Sequence, residues 1–346
     1  MRNNMEYFLS MDIIRVYAVF LIVLLHVSAP VLYAFSPIQN SMWWIGNAFD
    51  SFARAGVPLF FMISGLLVLG NYKRENINEF IRKRVKKVVI PLVAWSCIFF
   101  LWRIYFHNDV ITINGIFRQF LEGSVYYHLW FLYPLISLYI AVPIVYPIFE
   151  RNPGLIRYFT LFWFLFVSIS ALVRKMFGFS IFFGSELFTP FIGFFVIGYA
   201  MRKESKKLKK GVVIALGVLA YIVTVLGTFY LTRNLGEIDE FFYGYTSINV
   251  VVLSVCTFAI MRNAKWEFLS NKSKGFISKV KDLSFGVFLI HPIVIDVLFI
   301  KVLGRQIYET GVSPLISIPF ATMVVFLVSA MLTLFLKKIP RIREII

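Results

Sequence analysis

Arg15 and His26 sit inside the apolar run MDIIRVYAVFLIVLLHVSAP, Met11 to Pro30, where lipid penalises both. An ionisable side chain near the bilayer centre costs about 2.5 to 3.5 kcal/mol on insertion scales, so such groups face a bundle interior or a water-filled cavity and mark candidate sites. Eleven residues separate the two, almost a whole number of helical turns, which puts them on one face. The rise per residue spaces them by about 16 Å along the axis. An anion held by the guanidinium, whose fork matches phosphate oxygens, could extend inward along this stripe and present its far end to the imidazole, a general base with an ordinary pKa near 6.5. Asp12, one turn before Arg15, is expected to pair with it at i,i+3 and orient it. Plainer roles stand beside these: a snorkelling anchor for Arg15 and a hydrogen bond between helices for His26.

Three further stretches carry polar groups at depth. In FGVFLIHPIVID, His291 precedes Pro292, with Asp296 five residues on. Proline frees a carbonyl one turn back and favours a kink, so His291 is expected at a bend, either satisfied by that kink or serving the site. In YYHLWFLYP, His128 opens a helix at the outer face, where Tyr126, Tyr127 and Trp130 fit an interfacial aromatic belt. His107, in FHNDV, has no partner that the sequence names. In VPLFFMISGLLVLGNYKR, Ser64 and Gly65 permit close approach of another backbone. The basic residues that follow, Lys73, Arg74, Arg82 and Arg84, answer a positive-inside requirement and also ring the mouth of any cavity lined by Arg15.

The elements that must position these groups are membrane helices. Of 346 residues, 59% are hydrophobic and only 15% charged, against about 25% charged in soluble domains. Runs near the 20 residues needed to span a bilayer are expected at roughly 10–33, 50–69, 88–106, 127–149, 155–173, 185–200, 211–231, 247–261, 283–300 and 315–336. The result is an all-α, polytopic bundle of about ten transmembrane helices. Lys and Arg concentrate after the second, sixth and eighth runs and in the tail, which places both termini in the cytoplasm. The net charge of +17 is thus loop charge, and no nucleic-acid motif accompanies it. Cys97 and Cys256 lie within apolar runs as small hydrophobes, so neither a disulfide nor a metal site is expected. No internal repeat is evident, and residues 1–346 are expected to form one transmembrane domain with no extra soluble domain.

Taken together, Arg15-x10-His26, VPLFFMISGLLV, the basic RKRVKKVVIP, HLWFLYPL and FGVFLIHPIVID resemble acyltransferase family 3, membrane O-acyltransferases of cell-envelope glycans. The blocks occur in family order over most of the chain. The resemblance is to the stand-alone branch that includes the enterobacterial common antigen O-acetyltransferase. It implies a bacterial cytoplasmic membrane protein that moves an acetyl group from cytosolic acetyl-CoA to a hydroxyl of a glycan or lipid-linked sugar. It also implies that His26 is catalytic and that Arg15 is required. Arg15, Lys73, Arg74, Arg82 and Arg84 are then expected around the CoA phosphates. The same membrane fold also serves the racemase-associated branch, and mid-membrane polar groups suit a transporter or flippase as well. A transporter and an amino-acid uptake module therefore stand as alternatives.

Overall fold

Apolar length decides the architecture. The computed structural model describes residues 2–35, 40–72, 76–178, 190–203, 209–233, 235 and 237–346. Among them there is no strand. Nine helical stretches are long and apolar enough to cross a membrane, and the shorter apolar helix Ile192–Arg202 falls where the sixth span is expected. In chain order they are α1 (Phe8–Ala34), α2 (Ser41–Asn71), α3 (Ile77–Phe106), α4 (Leu129–Arg151), α5 (Gly154–Phe177), α6 (Ile192–Arg202), α7 (Lys210–Thr232), α8 (Phe241–Asn263), α9 (Asn271–Glu309) and α10 (Pro314–Leu336). The first five residues of the expected sixth span, 185–189, lie outside the described residues.

The second span starts about nine residues earlier than its hydropathy implies. Asn40 caps it, its side chain accepting from the Met42 N–H at 2.8 Å, and the polar residues Asn47, Asp50 and Ser51 are fully buried within it. Burial of such groups requires partners. Asn47 donates to the Val225 carbonyl at 3.0 Å and accepts from Tyr243 Oη at 2.6 Å and Ser51 Oγ at 3.0 Å.

α1 runs through the middle of the bundle, with Ile14, Ala18, Val19, Val23 and Val31 wholly buried against α2, α8, α9 and α10. Lipid is as apolar as these side chains, so helix association rests on close packing and small residues. The α2 and α6 backbones touch: a Cβ on Gly65 would stand 1.8 Å from the Phe195 carbonyl oxygen, and one on Gly198 1.9 Å from that of Met62. Gly65 thus has the packing role expected for it.

Polar ends and apolar middle separate the charges. Arg15, Arg84, Lys86, Lys87 and Arg343 gather at one end. There the tail docks, with Trp95 Nε1 donating to the Ile345 carbonyl at 2.8 Å. The start of α1 and the C-terminal segment therefore share the basic end. Asp12 does not pair with Arg15 as expected. It faces Lys281 of α9 at 3.5 Å, because an ammonium on the neighbouring helix reaches it more directly than a guanidinium directed into the cavity.

Candidate active site

The site begins with a proline. Pro292 has no N–H, so the Phe288 carbonyl one turn back loses its helical partner. His291 Nδ1 takes it at 2.8 Å and lies 3.2 Å from the Val287 carbonyl. Carbonyl oxygens only accept, so His291 carries its proton on Nδ1, and in the neutral ring Nε2 is left as an acceptor. That nitrogen is 2.9 Å from His26 Nδ1. His26 must therefore donate through Nδ1, which leaves its Nε2 as a free lone pair. Among the described residues nothing hydrogen-bonds to His26 Nε2. The two rings lie nearly parallel, 5.0 Å apart between centroids. His291 is fully buried, whereas His26 is only partly so. A backbone defect in α9 thus sets the tautomer of a histidine on α1.

Around this pair the rings are aromatic. Tyr127 stands 4.8 Å from His26, and His128 stands 5.4 Å from His291. His128 does not sit at an outer interface. It is 2% exposed, and neither of its nitrogens makes a hydrogen bond of normal geometry among the described residues. Trp130 packs with Phe191 and Tyr245 at 5.5 and 5.8 Å and connects to the rings around the histidines through Phe131 at 6.4 Å. Asp296 hydrogen-bonds none of His26, His128 and His291 among the described residues: its Oδ2 accepts from Trp102 Nε1 at 2.8 Å, Tyr126 Oη at 2.7 Å and His107 Nε2 at 3.1 Å. His107 thereby gains a partner, and the segment carrying Tyr126 and Tyr127 is tied to α9. Despite three neighbouring histidines, no group of His, Cys, Asp or Glu among the described residues is arranged to hold a metal ion.

At the basic end a cavity of about 510 Å³ is lined by Arg15, Arg84, Lys86, Lys87 and Arg343, and reaches Phe60, Ser64, Leu135 and Tyr139. Residues Val85–Val89 form a π-helix, a local widening often found at functional sites, and it carries Lys86 and Lys87. Arg15 makes no hydrogen bond or ion pair with any described residue, and the buried Nε of Arg84 has no partner. Arg82 is exposed and outside the lining, while Lys73 and Arg74 lie outside the described residues. Lys86, Lys87 and Arg343 were not singled out in advance, although their density of positive charge was visible. A run of ring contacts connects the cavity wall to the histidines: Phe60 to Phe131 at 5.0 Å, Phe131 to Phe288 at 5.3 Å, and Phe288 to His128 at 5.3 Å.

Two charged residues that sequence reasoning missed lie at the depth of His26. Gly46 and Gly56 of α2 press on α1, where added Cβ atoms would stand 3.1 Å from the Leu32 nitrogen and 3.0 Å from the Ala18 carbonyl oxygen. The segment between them therefore runs antiparallel alongside His26. It carries Asp50, fully buried, and Arg54, whose Nε donates to Asp50 Oδ1 at 2.7 Å. Their i,i+4 spacing was the available signal.

A basic cavity at one end, a hydrogen-bonded histidine pair between helices and a polytopic apolar bundle together make a membrane protein with a polar interior site. The acyltransferase domain of family 3 matches residues 8–334, and the chain belongs to that family. It is also similar to the "Probable poly-beta-1,6-N-acetyl-D-glucosamine export protein" of Staphylococcus aureus strain MSSA476, 24% identical over 266 residues that cover 70% of each chain. The protein of the same name from strain Mu50 is 25% identical over 268 residues, again 70% of each. No solved structure matches the chain.

Proposed function

We propose that the protein transfers an acetyl group from acetyl-CoA, bound at the basic end, to a hydroxyl of a cell-envelope glycan approaching from the opposite face. The membrane would be a bacterial cytoplasmic membrane, with the basic end inside. The observation that carries this is the proton chain from the Phe288 carbonyl through His291 to His26, which leaves a lone pair on His26 Nε2 at mid-membrane. The CoA phosphates pair with Arg15 and Arg84, assisted by Lys86, Lys87 and Arg343, which surround one cavity. The pantetheine arm then runs along α1 past the phenylalanine rings, a span of about 16 Å from Arg15 to His26. There the acceptor oxygen attacks the thioester carbon as its proton passes to His26 Nε2. Collapse of the tetrahedral intermediate breaks the C–S bond, and the thiolate recovers that proton, giving the ester and CoA thiol. Acid and base catalysis of this kind is typically worth about 10²- to 10⁴-fold.

The test is transfer of labelled acetyl from acetyl-CoA to β-1,6-linked N-acetylglucosamine oligosaccharide by purified protein in liposomes. His26→Ala should abolish it, and Arg15→Ala should strongly reduce it at sub-saturating acetyl-CoA. If both match wild type, the mechanism fails. The name of the staphylococcal relatives favours a second reading, polysaccharide export. That reading gains if labelled oligosaccharide crosses the liposome membrane with no acetyl incorporation.

A further inference from the structure

We propose that Arg54 is a second catalytic residue, whose Nη1 hydrogen-bonds the developing oxyanion of the thioester carbonyl while Asp50 positions it. This rests on the acyl-transfer reading above and adds the electrophilic partner which that reading lacks. Three observations carry it. First, the α1 and α2 backbones are in register, so the Asp50 to Arg54 turn lies beside His26. Second, Asp50 occupies only part of the guanidinium: Oδ1 takes Nε at 2.7 Å and Nη2 at 2.5 Å. Nη1 makes no hydrogen bond to any described residue, so both of its N–H donors remain unused on a charged group deep in the bundle. Third, the group is held in place before any substrate arrives. The Tyr243 ring lies 4.1 Å from the Arg54 Cζ, and Tyr243 is itself fixed through Asn47 at 2.6 Å.

A buried charge is normally costly unless fully paired, and here half of the fork is left open. In acyl transfer the negative charge appears on the carbonyl oxygen, away from the base. A preorganised donor in a site of low polarity is then worth far more than one in water. The carbonyl C=O accepts from Nη1 as the acceptor oxygen attacks. The donor keeps its proton, and the bond weakens again when the C–S bond breaks.

The full chain in liposomes provides the test. Arg54→Ala should lower kcat by about 10²- to 10³-fold, the loss for removing one oxyanion donor, with the affinity for tritiated CoA unchanged. Guanidinium chloride below denaturing concentrations should restore part of the rate to Arg54→Ala and none to His26→Ala, a result that a purely structural role would not produce. Because Arg54→Ala leaves Asp50 buried without a partner, the double variant Asp50→Asn/Arg54→Gln removes both charges and should show the same kcat loss in a folded protein. Acetyl transfer that needs His26 yet keeps wild-type kcat in the double variant overturns the role of Arg54 alone. Loss of CoA affinity in step with kcat also overturns it, since Arg54 would then be a donor anchor. Absence of transfer by wild type overturns the acyl-transfer reading and this role with it.

Discussion

Replacing His291 by leucine isolates what the second histidine contributes. The change removes the acceptor for His26 Nδ1–H, now 2.9 Å away, and strips the Phe288 carbonyl of its donor at 2.8 Å. Leaving a buried polar group unpaired costs about 1 to 3 kcal/mol. The ring of His26 avoids part of this by turning or by moving its proton to Nε2, and either response removes the lone pair from the reacting position. If that cost is the energy holding His26 in its reactive tautomer, kcat should fall by about 5- to 160-fold at 1.36 kcal/mol per tenfold. That is less than the loss for His26→Ala. His291→Gln, whose amide oxygen still accepts near the old Nε2 position, should recover part of the loss. The assay is single-turnover acetyl transfer at saturating donor, beside 15N spectra of histidine-labelled protein, which distinguish the two tautomers of His26. The reasoning is refuted if His291→Leu transfers acetyl at the wild-type rate while His26→Ala is inactive, or if His26 carries its proton on Nε2 in wild type.

Two further outcomes follow from the same geometry. Arg15→Gln or Arg84→Gln should raise the KM for acetyl-CoA by about 10- to 150-fold, since a hydrogen bond to a charged group contributes about 1.5 to 3 kcal/mol, with kcat little changed in initial-rate measurements. Gly65→Ala should lower thermal stability by at least the 1 to 3 kcal/mol typical of overpacking, because its Cβ would meet the Phe195 carbonyl oxygen at 1.8 Å. A melting curve of the detergent-solubilised protein reads this directly.

Much of the site could be read from single helices. The Arg15 to His26 stripe follows from helical period alone, and the carbonyl freed by Pro292 follows from proline chemistry. Partners across the bundle could not be read in this way. Asp12 faces Lys281 and His107 faces Asp296, pairs far apart in sequence whose meeting depends on which helices become neighbours. In lipid that choice is made by close packing, with little hydrophobic signal to announce it. Asp50 and Arg54 escaped for a different reason. They are the first charges of the expected 50–69 run, where an acid and a base read as surface residues at the rim of the membrane. The helix in fact begins at Ser41, so the rim is about two turns further away and Asn47, Asp50 and Ser51 are fully buried.

The pairing of Asp50 with Arg54 also bears on how the bundle meets the transmembrane voltage. One elementary charge moved through 100 mV changes energy by about 2.3 kcal/mol. At the depth of His26 the carboxylate and guanidinium cancel, and the two joined histidines form a neutral chain. The potential therefore has no net charge to pull on there. On the proposed acetyl-transfer reading, the proton that His26 would accept and return moves only between neighbouring atoms, so the transfer rate in liposomes should be the same with and without an imposed membrane potential.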